Sequence, residues 1–163
     1  MNKFLFLIFS VISFSIRAQT TGEEKAIMEP VTQLFTGMNL GDSAMVHSAF
    51  MKQISMATVS KDKNGNPVIR QETSLDGFLK AVGTPHDKAW SEPVWAVQIQ
   101  VDGNMAQVWT KYAFYLGKTF SHCGVDAFQL FKGIDGKWKI FSLADTRQKE
   151  GCNVPPAISI LFK

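Results

Sequence analysis

The chain has 163 residues, of which 45% are hydrophobic and 12% aromatic, with a formal charge of +3. That much apolar material with so little net charge excludes a disordered chain. The absence of a Lys/Arg run excludes a nucleic-acid binder, because phosphate contacts dominate that affinity.

Residues 1–18 read MNKFLFLIFSVISFSIRA: a lysine, an apolar run from Phe4 to Ile16, and a small residue at Ala18 before Gln19. This is the layout of a secretory signal peptide cut after Ala18. A membrane anchor is the rival reading, but a span needs about 20 apolar residues, and Ser10, Ser13, Ser15 and Arg17 interrupt this run. Cleavage removes Lys3 and Arg17, so the mature chain is close to neutral. An exported protein in the periplasm or outside the cell is expected, free of the membrane after cleavage. Residues 19–163 have the size of one domain.

From Glu23 to Asn39, the apolar residues Ala26, Ile27, Val31, Leu34, Phe35 and Met38 recur at helical spacing. Pro30 within this stretch predicts either a kink or the true helix start. Gly41 supplies a stop and Asp42 a new N-cap, so a short second helix carries Met45, Val46, Ala49 and Phe50 inward. Two short strands, Ile54 to Ser60 and Val68 to Glu72, flank a hairpin turn at Asn64-Gly65. Ser74 caps a third helix holding Leu75, Phe78, Leu79 and Val82, which Gly83 and Pro85 end.

After this the apolar period changes. Trp95 to Val101, Met105 to Leu116, Phe120 to Phe131 and Trp138 to Asp145 read as consecutive long strands, joined by turns at Asp102-Gly103-Asn104, Gly117-Lys118 and Asp135-Gly136. Helices gathered before an antiparallel meander predict an α+β fold rather than a doubly wound parallel sheet.

Cys123 and Cys152 are the only cysteines. In an oxidising compartment the expectation is a disulfide pinning the C-terminal tail to the sheet; the alternative is two separate thiols, one packed inside. No Cys or His lies at the close spacing of zinc ligands, so no metal site is expected. There is no GxGxxG, phosphate loop or GxSxG elbow. No cofactor is expected.

The polar residues embedded in the meander are the candidate site. His122 and Asp126 are four apart on one strand, which aims both at one face together with Gly124 and Phe128. A histidine beside a carboxylate can serve as a general base with a raised pKa, with Gly124 leaving room for a ligand; a solvated outer face is the plainer reading. Asp145 and Arg147, two apart, project to one side and can form an ion pair that clamps the chain end or positions water. Tyr112 or Tyr115 with Asp126 offers an acid and a base for enolate chemistry. Trp95, Trp109, Phe114, Phe128 and Trp138 suit the lining of a cavity for a flat apolar molecule, or plain core. The candidate ligand contacts are therefore Trp95, Trp109, Tyr112, Phe114, His122, Asp126 and Phe128, and the candidate catalytic groups His122, Asp126, Asp145 and Arg147.

FSHCGVDAFQLFK (120–132), GKWKIFSLADTR (136–147), Cys152 and LFTGMNLGDSAMVHSAF (34–50) together resemble a bacterial branch of the nuclear transport factor 2-like superfamily, labelled lumazine-binding-like or SnoaL-like. The resemblance implies a cone: a strongly curved antiparallel sheet wrapped around the N-terminal helices, with a pocket between its concave face and the first helix. It also implies a homodimer built on the open sheet face. Members include isomerases, dehydratases, hydrolases and proteins that only bind, so fold alone does not carry function across. A small-molecule-binding domain taking an apolar or aromatic molecule is the first expectation. An isomerase, dehydratase or hydrolase using the same pocket is the second.

Overall fold

The computed structural model describes residues 22–163; the signal-peptide reading of residues 1–18 lies outside them. The first helix, α1 (Gly22–Leu40), buries Ile27, Val31, Leu34 and Met38 along one stripe. Pro30 is buried inside this helix and neither starts nor ends it. The stop is a left-handed glycine: Gly41 has φ +68°, and the Asp42 N–H reaches back to the Gly37 carbonyl at 2.8 Å. Asp42 then caps α2 (Ser43–Ala49), its Oδ1 accepting from the Met45 N–H at 2.8 Å.

The chain continues through β1 (Phe50–Lys61), β2 (Pro67–Glu72), α3 (Asp76–Gly83) and the two-residue β3 (Trp90–Ser91). The meander follows: β4 (Val94–Asp102), β5 (Met105–Leu116), β6 (Thr119–Lys132) and β7 (Trp138–Thr146). A short α4 (Pro156–Ser159) and a 3₁₀ turn end the chain. The strand order is β2-β1-β7-β6-β5-β3, with β4 also paired to β5. Five of the six ladders are antiparallel, but β1 and β7 pair in parallel, so the sheet is mixed. Register shifts at Phe50/Ser55, Trp95/Gln98, Phe114/Tyr115 and Gln129/Leu130 bend it.

Period-2 alternation sorts the side chains. Val108, Thr110 and Tyr112 of β5 and Asp126, Phe128 and Leu130 of β6 are buried on the concave face. The core joins this face to Ile27, Val31 and Leu34 of α1 and Val46 and Ala49 of α2, with Phe35 edge-on to Phe128 at 6.1 Å. Glu23 fastens the start of α1 to the sheet, accepting from Lys132 Nζ at 3.0 Å and Trp138 Nε1 at 3.2 Å.

On the opposite face, a second cluster of Ala113, Tyr115 and Cys123 is covered by Cys152, Val154 and Phe162 of the tail. Cys123 and Cys152 form a disulfide across a separation of 29 residues, and Phe162 stacks on Tyr115 at 3.8 Å. Among the described residues, no helix is long and apolar enough to cross a membrane.

Candidate functional site

A cavity of about 410 Å³ lies between the concave face, α1, α3 and the β1–β2 hairpin. Met38, Met56, Phe78 and Ala81 form its apolar floor, Trp90 and Phe114 an aromatic wall, and Glu92, His122 and Arg147 its polar end. The ring contacts run on continuously: Trp90 meets Phe114 at 5.9 Å, Phe114 meets His122 at 5.1 Å, and His122 meets Tyr112 at 5.7 Å. A second concavity of about 700 Å³, edged by Lys61, Ser121 and Lys149, shares His122 and Arg147 with the first.

Behind the polar end lies a buried acid cluster set by strand register. Asp126 of β6 stands directly opposite Asp145 of β7. Like charges in that relation repel, and the two are handled differently. Asp145 is saturated: its Oδ1 accepts from Thr58 Oγ1 at 2.6 Å, and its Oδ2 from Arg147 Nε at 2.7 Å and from Tyr112 Oη at 3.3 Å. Asp126 is 2% exposed, and its Oδ2 finds no donor among the described residues. Its carboxyl instead meets that of Glu92. Two carboxyls can share a hydrogen bond only if one carries a proton. Burial, and then the charges of Glu92 and Asp145, accordingly push Asp126 well above the usual carboxylate range. Burial, followed by Asp145, lifts Glu92 to about 8.

Tyr112 is also pushed upward, by burial and then by Asp145, so it stays a hydroxyl that donates to the Thr146 carbonyl at 2.9 Å. Burial alone would lower Arg147, but its hydrogen bond and ion pair with Asp145 raise it.

His122 departs from expectation. It shares the concave face with Asp126, yet burial and then the neighbouring Arg147 depress its pKa to about 4, against a smaller upward pull from Asp145. It is therefore a neutral imidazole at neutral pH, with Nδ1 3.0 Å from Ser121 Oγ. Gly124 does not leave room for a ligand either. A Cβ there would lie 1.8 Å from the Thr146 carbonyl oxygen; the glycine lets the end of β7 fold in against β6, which presents Arg147 to the cavity.

Of the other sequence candidates, Phe114 lines the cavity and Tyr112 backs it, whereas Phe128 is deep core against Phe35. Trp95 and Trp109 are corrected. They pair with Lys111 and Ala127 on the outer face, so alternation turns both away from the cavity. Trp95 packs by the disulfide and Trp109 is 44% exposed. Glu92 and Trp90 escaped sequence reasoning because they sit on the broken edge between β3 and β4. Pro93 closes that break, its carbonyl accepting from the Ala113 N–H at 3.2 Å, and Glu92 is thereby placed over Asp126. Among the described residues, no group of three or more His, Cys, Asp or Glu side chains is arranged to hold a metal ion.

Residues 22–144 match the family described as "Putative lumazine-binding". The chain belongs to that family. No curated protein matches this member of the lumazine-binding family. Among solved structures, it is similar to an NTF2-like protein of unknown function from Shewanella baltica, at 19% identity and TM-score 0.59, over 81% of this chain and 100% of that one. It is similar also to a "putative ketosteroid isomerase" from Shewanella frigidimarina, at 18% identity and TM-score 0.56, over 76% and 97%. A third is the β subunit of a "putative aromatic-ring-hydroxylating dioxygenase" from Novosphingobium aromaticivorans, at 12% identity and TM-score 0.64, over 78% and 90%. These likenesses establish the nuclear transport factor 2-like fold for the lumazine-binding-family chain.

Proposed function

We propose that this chain is an exported binding protein for a small, largely apolar or aromatic molecule, held in the cavity beneath α1 and α3. One observation carries the reading: the cavity has an apolar floor and an aromatic wall, and its few polar groups, Glu92, His122 and Arg147, gather at one end. That is the composition of a small-molecule site. The volume of about 410 Å³ suits a bicyclic ligand. Trp90 in the wall gives the test: the mature chain is titrated with lumazine and a panel of bicyclic aromatics while tryptophan emission is followed. Saturable quenching that disappears in Phe114→Ala is expected, and a flat response across the panel refutes the reading.

Export is supported by the apolar leader and the Cys123–Cys152 disulfide. We expect the protein recovered from the periplasm or medium to begin at Gln19 by mass spectrometry, and recovery of the full chain from the cytoplasm alone refutes it. The exposed Met105 and Trp109 on the outer face of β5 support a homodimer, which light scattering tests.

The second reading is an isomerase, dehydratase or hydrolase in the same cavity. It is favoured by the shared proton of Glu92 and Asp126, since a carboxyl poised near neutral pH suits general acid–base work. Turnover of a bound molecule that Glu92→Gln abolishes would establish it.

A further inference from the structure

The carboxyls around the cavity outnumber the cations that pair with them. Arg147 is matched by Asp145, which is itself filled by Thr58 and Tyr112. Arg70 at the mouth has Glu72 at 3.8 Å. His122, beside Ser121, is neutral. Glu92 and Asp126 remain, with one orphaned Asp126 oxygen and, among the described residues, no ion pair to either; Arg147 acts on both but is paired with Asp145. Asp145 acts on both carboxyls more strongly than Arg147 does, so the Asp145–Arg147 pair opposes further negative charge there. What this end of the cavity lacks is a positive charge to stand in place of the protons that its carboxyls hold.

The wall next to it is the kind of surface on which organic cations rest. Trp90, Phe114 and His122 form a continuous aromatic strip, and ring faces attract ammonium groups. We infer that the cavity takes a small organic cation, its ammonium or amidinium nitrogen beside Glu92 and its apolar skeleton along the strip formed by Trp90 and Phe114. This rests on the reading of the cavity as a binding site, and it names the class of ligand. A cation arriving there replaces the shared proton, so binding releases a proton to solvent. The balance is simple: the ligand nitrogen enters charged, and the carboxyl pair leaves with one proton fewer.

The test uses three probes of one shape at pH 7: 1-naphthylmethylammonium, 1-naphthylmethanol and 1-naphthoate, titrated calorimetrically into the mature chain. The ammonium is expected to bind roughly tenfold or more tightly than the alcohol, and the naphthoate most weakly. Repeating the ammonium titration in buffers of different ionisation heat should report proton release. Glu92→Gln, checked for folding by its thermal transition, should bring the ammonium and alcohol within about twofold of each other. The alcohol or lumazine binding as well as the ammonium, the naphthoate binding best, or no proton release overturns this inference and leaves the binding reading intact. Silence from all three naphthyl probes and from lumazine overturns both.

Discussion

Gly124 shows how one missing side chain sets the geometry of the polar end. The Thr146 carbonyl occupies the space where a Cβ would stand, Tyr112 Oη donates to that carbonyl, and Thr146 Oγ1 accepts from the Val125 N–H at 3.0 Å. We expect Gly124→Ala to lower stability by about 3 kcal/mol, because backbone rather than a flexible side chain must move, as read by urea unfolding. A loss under about 1 kcal/mol would mean that the two strands do not approach so closely. Tyr112→Phe should cost about 1 to 2 kcal/mol, since it leaves the Thr146 carbonyl without its phenol donor. Period-2 reasoning was enough to put His122 and Asp126 on one face. It could not show that Asp126 faces Asp145, because the bulge at Gln129/Leu130 shifts the register that counting from the Asp135-Gly136 turn would give.

Among the elements, the long strands were legible because each runs for nine or more residues and turns containing Gly separate one from the next. The edge between β3 and β4 was not. Trp90–Ser91 is too short to show a period, and it takes its position from pairing with Tyr115 and Leu116. The parallel β1–β7 ladder was hidden for another reason: the two strands are neighbours in the sheet but are the first and last strands in the chain. The tail after β7 has its own physical logic: Cys152, Val154 and Phe162 close an apolar patch that would otherwise face water. Opening the 29-residue loop by Cys152→Ser should cost about 3 to 4 kcal/mol in the chain-entropy account. The thermal transition should fall accordingly, and limited proteolysis should remove the tail while sparing the sheet. An unchanged transition would show that stacking of Phe162 on Tyr115 holds the tail without the bridge.

For the whole molecule, the acid cluster gives stability an unusual dependence on pH. Glu92 has a pKa of about 8 in the fold against an ordinary 4.5, and Asp126 moves in the same direction. Between these limits the folded chain holds protons that the unfolded chain has released, so stability falls as pH rises from 4.5 toward 8, where the contribution of Glu92 is used up. His122 works the other way: at about 4 in the fold against 6.5, it makes stability rise with pH across that lower window. The two effects oppose each other below pH 6.5, and above it only the carboxyls act. The descent should therefore be plainest between pH 6.5 and 8, at up to about 1.4 kcal/mol per pH unit for each proton held. Most domains are most stable between about pH 5 and 8, whereas this one should be losing stability through the upper half of that range. Glu92→Gln removes one of the two raised carboxyls, so its urea midpoint should fall less steeply than the parent's from pH 6.5 to 8 and should exceed that of the parent chain at pH 8. A parent midpoint that stays constant across that interval would mean that Glu92 ionises as freely in the fold as in water, and the proton shared with Asp126 would have to be abandoned.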